Sequence, residues 1–211
     1  MKKRNMAILF VILSMILSAC TGNVEVEPSA TPSESETASP PPTVVPADYF
    51  PLEPGNLWKY LGDGNEYASF TREVLYAGGD YAQTTENNGG TVSSTVYHIT
   101  ESQITVVYSK GEDYDAGNLI GAPPNANIVI VKSPLEVGTI WETENGTREI
   151  ISMDATVSTP LGDMKDCMQI KITDEYSYSY EYFKMGVGLV KREFHSEDAV
   201  VSSTLEEMDL D

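Results

Sequence analysis

The sequence predicts a mainly β fold, a single antiparallel β domain with two similar β-meanders in one curved sheet or sandwich. Three observations predict it. Short runs rich in Val, Ile, Thr, Tyr and Phe recur from residue 49 onward, and such runs are typical of strands. Residues that favour turns separate these runs. No segment keeps an apolar helical stripe over three turns, so we expect no long helix.

Eight segments have the composition of strands, and we expect each to form one strand. Their residue ranges are 66–76, 91–100, 103–108, 127–132, 148–157, 164–173, 176–183 and 189–194. The pairs Gly78-Gly79 and Asn145-Gly146 lie between such runs. Tight antiparallel turns need residues that tolerate positive φ, so these pairs predict hairpins.

The first 20 residues have the anatomy of a secretory signal. A basic start at residues 2–4 precedes an apolar run at residues 6–17, and the small residues Ser18 and Ala19 lie before Cys20. The apolar run is too short for a membrane-spanning helix. The end of this segment resembles the bacterial lipobox. That resemblance implies a diacylglyceryl thioether on Cys20, cleavage before it, and an anchor on the extracytoplasmic face of the cell membrane. The alternative is an ordinary signal peptide with an incidental cysteine.

Composition divides the rest of the chain into two parts. Residues 21–48 are mostly Ser, Thr, Pro and Glu with almost no large apolar residue, so we expect a disordered linker there. All twelve tyrosines and both tryptophans lie in residues 49–211. This length is usual for one domain, and we expect one β-rich domain.

Charge limits the partners. After residue 20 the chain has 10 basic and 32 acidic residues, a formal net charge of −22. We expect no nucleic acid partner, because binding to phosphate backbones needs a basic patch. Bilayer surfaces are commonly anionic too, so we expect the membrane to be a partner through the lipid on Cys20.

An internal repeat is present in the predicted domain. The sequence PLEPGNLW at residues 51–58 recurs as PLEVGTIW at residues 134–141. We expect each copy to open a β-meander and to bury its tryptophan; chance similarity is the alternative. With GVGLVK at residues 186–191, these segments resemble a group of uncharacterised β-rich lipoproteins, mostly from Gram-positive bacteria. That resemblance implies a β fold and a place in the cell envelope, and it implies no activity.

Residues able to perform catalysis are few. His98 and His195 are the two histidines, and neither belongs to a metalloprotease or nucleophile-elbow motif. We interpret Cys167 as a small core residue, with a reactive thiol as the alternative. Paired carboxylates could still support hydrolysis, although the sequence indicates no particular pair. We therefore expect no enzyme, no metal site and no cofactor.

A stripe of tyrosines is the sharpest candidate for a binding site. Tyr176, Tyr178, Tyr180 and Tyr182 are spaced by two, so a strand would place them on one face. Rings in a row could stack on sugars or line an apolar groove. The alternative is that they pack against neighbouring strands and bury one face of the sheet.

The sequence thus favours a lipid-anchored extracytoplasmic lipoprotein that acts as a noncatalytic binding or scaffold module of the cell envelope. Cell-wall glycan and another envelope protein are the candidate partners. Two alternatives stay open, a carrier that holds a lipid or another apolar ligand in a curved sheet and a hydrolase that uses carboxylates. A contiguous apolar concavity would favour the carrier. Two acids that converge in a cleft would favour the hydrolase.

Overall fold

A computed structural model of the protein describes residues 43–211. Twelve strands and a short 3-10 helix, Pro46–Tyr49, form this part of the chain. The strands are β1 (Leu57–Asp63), β2 (Phe70–Gly78), β3 (Tyr81–Asn87), β4 (Val92–Ile99), β5 (Gln103–Lys110), β6 (Ile128–Lys132), β7 (Ile140–Thr143), β8 (Gly146–Thr159), β9 (Gly162–Thr173), β10 (Tyr178–Lys184), β11 (Gly188–His195) and β12 (Val200–Asp209). The predicted signal peptide, its Cys20 and most of the predicted linker lie outside the described residues.

All twelve strands belong to one antiparallel sheet that curves into a nearly closed barrel. Consecutive strands pair with each other from β1 to β6 and from β7 to β12, and β1 pairs with β12 to join the two halves. The predicted fold class, a mainly β domain with one curved antiparallel sheet, is confirmed. Across residues 43–211, no helix has the length and apolar character needed to cross a membrane.

Side chains join the two edge strands, β6 and β7, between which no backbone ladder forms in the described part of the chain. Trp141 of β7 donates its indole N–H to the carbonyl of Val129 in β6 at 2.8 Å. Arg148 of β8 donates to the next carbonyl, that of Ile130, at 3.2 Å. Two carbonyls of an edge strand are thereby satisfied, which leaves less of this edge free to pair with another chain.

The two ends of the barrel differ. At one end, which we call the base, Tyr49 and Phe50 are buried among the ends of the strands. The Phe50 ring lies 5.0 Å from the ring of Phe183, centre to centre. At the other end, which we call the mouth, the strands are joined by the loops at residues 64–69, 88–91, 111–127, 144–145, 174–177 and 196–199.

Four strands, β1, β3, β7 and β12, were not predicted. β3 shows why. Its sequence, YAQTTEN, is mostly polar, but its Gln83 side chain is fully buried. The loop at residues 111–127 covers that side chain: the Gln83 amide donates to the carbonyl of Gly117 and accepts from the N–H of Leu119. A strand that is covered by a loop needs hydrogen-bonding side chains on its outer face, so it lacks the apolar alternation that predicts strands.

The two copies of the repeat have the same local structure. Gly55 and Gly138 both have positive φ, +102° and +92°, and each donates its N–H to the second strand of its half, to Val74 and Ile150 respectively. Each tryptophan is buried. Each also lies directly opposite an arginine, Trp58 opposite Arg72 and Trp141 opposite Arg148. Each copy therefore opens a six-stranded half of the barrel.

Candidate binding site at the barrel mouth

All three arginines of residues 43–211, Arg72, Arg148 and Arg192, participate in ion pairs inside the barrel. Two glutamates, Glu86 and Glu181, are their partners. Sequence analysis did not single out these arginines. A signal was available, because Thr-Arg-Glu follows each copy of the repeat, at residues 71–73 and 147–149.

Glu86 lies between two of the arginines. It forms an ion pair with Arg72, whose Nε donates at 3.0 Å, and a second ion pair with Arg192 at 3.3 Å. Burial alone would raise the pKa of Glu86, but the charges of Arg72 and Arg192 outweigh it and hold the pKa below its usual range. Glu86 is therefore ionised at neutral pH and is not a proton donor.

The second glutamate pairs with the third arginine. The guanidinium of Arg148 donates to Glu181 at 2.9 Å, and 8% of the Arg148 side chain is exposed. Glu181 comes from β10 and Arg148 from β8, so this pair spans β9 inside the barrel. Both lumenal glutamates thus have a cationic partner, which is the arrangement that buried carboxylates require.

Two cavities adjoin these ion pairs. The inner one has a volume of about 80 Å³ and is lined by Phe50, Tyr97, Phe183 and the polar side chains of Arg72, Glu181 and Arg192. The outer one, about 230 Å³, opens at the mouth. Apolar side chains form part of its wall, namely Tyr67, Ala68, Ile172, Phe194 and Val201, and Ser179, Glu181, Arg192 and Ser203 supply polar groups. Arg192 and Glu181 line both cavities.

Three adjacent hairpin loops connect the strands that line the mouth cavity. They occupy residues 64–69, 174–177 and 196–199 and connect strands that are neighbours in the sheet. Six exposed carboxylates lie on these loops and at the end of β1, and these segments contain no Lys, Arg or His. The six are Asp63, Glu66, Asp174, Glu175, Glu197 and Asp198. Exposed aromatic rings accompany them, with 54% of Tyr67 and 43% of Phe194 accessible to solvent.

The predicted tyrosine stripe is divided between a loop and a strand. Tyr176 lies in the loop before β10 and is 80% exposed. Tyr178, Tyr180 and Tyr182 lie on β10, on the outer face of the barrel, because the alternate residues Glu181 and Phe183 face inward. The stripe is therefore not part of the mouth cavity.

Neighbouring side chains cover much of the stripe. The ring of Tyr178 stacks on His195 with 4.7 Å between centres and 8° between planes. The hydroxyl of Tyr182 accepts a hydrogen bond from the Gln169 amide at 2.9 Å. Burial, followed by the charge of Glu193, raises the pKa of Tyr182 to about 12, so this hydroxyl stays neutral at physiological pH.

The remaining candidate residues are apart from the mouth. His98 stacks on Tyr81 at 4.7 Å, in the same cross-strand arrangement as His195 on Tyr178. Cys167 is completely buried, and burial raises the pKa of its thiol. No group of three or more His, Cys, Asp or Glu residues between positions 43 and 211 is arranged to hold a metal ion.

No family model matches the chain, and no curated protein matches it by sequence. Two crystal structures are similar to it. One is a protein classed provisionally as a lipoprotein, from Parabacteroides distasonis ATCC 8503, with 12% identity and a TM-score of 0.48. The other is classed provisionally as an exported protein with a YmcC-like fold, from Bacteroides fragilis NCTC 9343, with 14% identity and a TM-score of 0.43. Each match covers 76% of this chain and 98% of the other chain.

Proposed function

We propose that this protein is a lipid-anchored extracytoplasmic lipoprotein that acts as a noncatalytic binding module, with the barrel mouth as its binding site. One observation carries the proposal. The mouth has an open cavity of about 230 Å³ in which apolar walls meet the polar side chains of Glu181, Arg192 and Ser203. The larger hollows at the base, about 500 and 420 Å³, lie against the segment at residues 45–54 and the turns beside it. Barrel mouths are common positions for ligand sites.

The lumenal carboxylates support a noncatalytic role. A hydrolase that uses two carboxylates needs one of them to keep a proton, which requires a raised pKa. Glu86 has a lowered pKa because Arg72 and Arg192 hold it ionised, and Glu181 is paired with Arg148. These glutamates and arginines act instead as the polar filling of the barrel, which shapes the floor of the mouth.

The size of the inner cavity argues against a carrier that holds an acyl chain in its lumen. Its volume is about 80 Å³, and two arginines and a glutamate line it. Sites that hold a whole small organic ligand usually measure about 300–1,000 Å³ and are mostly apolar. The mouth cavity, at about 230 Å³, is also below this range, so it suits one part of a larger partner. A more apolar hollow of about 330 Å³ lies outside the barrel, between β4, β5 and the loop at residues 119–124, and a hollow of about 500 Å³ lies at the base. A carrier function would therefore use one of these hollows rather than the lumen.

The anchor and the location complete the proposal. We propose that lipid on Cys20 holds the protein on the outer face of the cell membrane, in a Gram-positive cell, and that cell-wall glycan or another envelope protein is the partner. The first described residues, 43–49, lie at the base, at the end opposite the mouth.

Site-specific photo-cross-linking in intact cells tests the mouth as the binding site. Benzoylphenylalanine in place of Phe194 puts the cross-linker at the mouth, and in place of Glu101 it puts the same group in an exposed turn of the base. We expect a discrete cross-linked product from position 194 only, and excess unlabelled protein should compete it away. Equal or stronger cross-linking from position 101 would contradict the proposal.

A further inference from the structure

Acidic residues are concentrated at three adjacent loops of the mouth. The three loops at residues 64–69, 174–177 and 196–199 contain 14 residues, of which five are Asp or Glu. The five turns of the base, at residues 79–80, 100–102, 133–139, 160–161 and 185–187, contain 17 residues, of which three are acidic. All six loops of the mouth together contain 37 residues, of which nine are acidic, so the concentration belongs to these three adjacent loops rather than to the whole end of the barrel.

Uncompensated carboxylates on adjacent loops repel one another, so their grouping has an energetic cost that a cationic partner would remove. The six mouth carboxylates form no ion pair with any Lys, Arg or His of residues 43–211. They also form no cluster with the geometry of a metal site. Charges that are spread over three adjacent loops are suited to several separate cationic groups rather than to one metal ion.

The cavity beside these carboxylates is partly apolar. Phe194, Ile172 and Val201, which lie on the strands that the acidic loops connect, line it. Arg192 at the floor is already engaged, because it pairs with Glu86, lies 3.4 Å from the hydroxyl of Ser203 and covers the ring of Phe70. An apolar centre inside a charged rim is the usual anatomy of a protein–protein contact, in which one anchoring side chain fills a pocket.

We infer that the mouth binds a basic polypeptide segment, one apolar side chain of which enters the cavity while flanking lysines or arginines face the six carboxylates. This inference rests on the proposed function and names the chemistry of its partner. The charge complementarity sets orientation and association rate, and the apolar anchor supplies most of the affinity. The segment belongs to another envelope protein, and binding to glycan is an alternative outcome of the test.

Fluorescence anisotropy with short labelled peptides measures this preference. The full chain with Cys20→Ser keeps every described residue unchanged and is suitable for titration. We expect the peptide Lys-Lys-Phe-Lys-Lys to bind more tightly than Lys-Lys-Ser-Lys-Lys, and Glu-Glu-Phe-Glu-Glu to show no binding. Raising the salt from about 0.01 M to about 1 M shortens the screening length from about 30 Å to about 3 Å, and it should weaken binding at least about tenfold.

Two double variants with the same change in net charge test whether the carboxylates at the mouth bind the peptide. Glu197→Lys with Asp198→Lys reverses two charges at the mouth, and we expect it to weaken binding of the lysine–phenylalanine peptide about tenfold. Asp80→Lys with Glu101→Lys makes the same change in net charge at the base, and we expect less than about a twofold effect. Equal losses in the two variants would show that net charge alone drives binding and would overturn the inference.

A fluorescent reporter at the mouth distinguishes two outcomes: the mouth binds a partner that is not basic, or the mouth binds none of the probes. Phe194→Trp places a solvent-exposed indole at the mouth, whereas the native tryptophans are buried. If Glu-Glu-Phe-Glu-Glu or a wall-glycan oligosaccharide shifts its emission and the basic peptide does not, the mouth is a binding site and the basic partner is wrong. If none of these probes shifts the emission, both the inference and the proposed function are contradicted.

Discussion

Arg192 lies over the ring of Phe70, with its guanidinium carbon 4.1 Å from the centre of the ring. Arg72 approaches the same ring at 5.9 Å, and Glu86 forms ion pairs with both arginines. The negative face of an aromatic ring attracts a cation by about 0.5–2 kcal/mol, depending on burial. Phe70 and Glu86 together allow two like charges to lie close to each other inside the barrel.

Removing the charge of Glu86 should therefore destabilise the fold. We expect Glu86→Gln to lower the free energy of unfolding by about 3 kcal/mol, the low end of the range for a broken buried pair, because 24% of the Glu86 side chain is exposed. Glu207→Gln is the matched control. It removes the exposed Lys59–Glu207 pair and should cost less than about 1 kcal/mol. Urea unfolding measures both, and equal losses would contradict a special role for Glu86.

The same glutamate predicts a dependence of stability on pH. Its pKa in the folded protein lies below the ordinary value because Arg72 and Arg192 stabilise the charged form. A lowered folded pKa stabilises the native state above the unfolded pKa, which is about 4.3 for Glu, and this stabilisation is lost as the pH falls through the folded pKa. The gap in unfolding free energy between the native protein and Glu86→Gln should be constant from about pH 7 to 5 and shrink below about pH 4. A gap that grows on acidification would contradict this assignment.

The fold class and the positions of the hairpin turns could be predicted from the sequence, because both depend on local properties of the chain. Gly78-Gly79 and Asn145-Gly146 lie at the turns that their positive-φ tolerance indicated. Tyr178, Tyr180 and Tyr182 lie on one face of β10 because they alternate along the strand. Which face of a strand points inward is a tertiary property. Interior ion pairs make Glu181, rather than Tyr180, the inward residue.

The candidate site could not be predicted for the same reason. The acidic loops at residues 174–177 and 196–199 belong to consecutive hairpins, but the loop at residues 64–69 is more than 100 positions away and joins them only when β1 pairs with β12. Arg72 and Arg192 are likewise 120 positions apart in the numbering and share Glu86 only in the folded barrel. A charged residue in a mostly polar segment is normally exposed, so the sequence did not indicate that Arg72, Arg148 and Arg192 lie inside the barrel.

The tyrosines of the stripe should differ in how much each contributes to the stability of the fold. Tyr178 stacks on His195, and we expect Tyr178→Ala to lower the free energy of unfolding by about 1 kcal/mol, the scale of a cross-strand aromatic pair. Tyr176 is 80% exposed, so Tyr176→Ala should stay within about 0.5 kcal/mol of the parent. Thermal unfolding compares the two variants. Loss of stability in Tyr176→Ala with none in Tyr178→Ala would reverse this assignment.

The proposed anchor predicts a difference between the two cysteines. A thioether needs a thiol, so Cys20→Ala should abolish incorporation of labelled fatty acid in the producing bacterium. Cys167→Ala is the control, because its thiol is buried and its pKa is raised. It should keep full labelling. Persistent labelling of Cys20→Ala would show that lipid is attached elsewhere or that the lipobox resemblance is misleading.

The two tryptophans of the repeat should be equally important for packing but not for closing the barrel. Both are buried, so Trp58→Ala and Trp141→Ala should each cost about 3–5 kcal/mol of stability. Substitution by Phe keeps a ring and removes the indole donor. Trp58 donates to the carbonyl of Val187 in the turn between β10 and β11, whereas Trp141 donates across the seam between β6 and β7.

Because no backbone ladder holds that seam within residues 43–211, Trp141→Phe should raise amide hydrogen exchange along β6 and β7 while the rest of the sheet stays protected. Trp58→Phe is the matched control. It should lower the free energy of unfolding about as much as Trp141→Phe does, by about 1 kcal/mol for the lost hydrogen bond, and it should leave hydrogen exchange in β6 and β7 unchanged. Hydrogen exchange followed by mass spectrometry distinguishes the two variants. Unaltered exchange in β6 and β7 of Trp141→Phe would show that packing, rather than the indole hydrogen bond, closes the barrel.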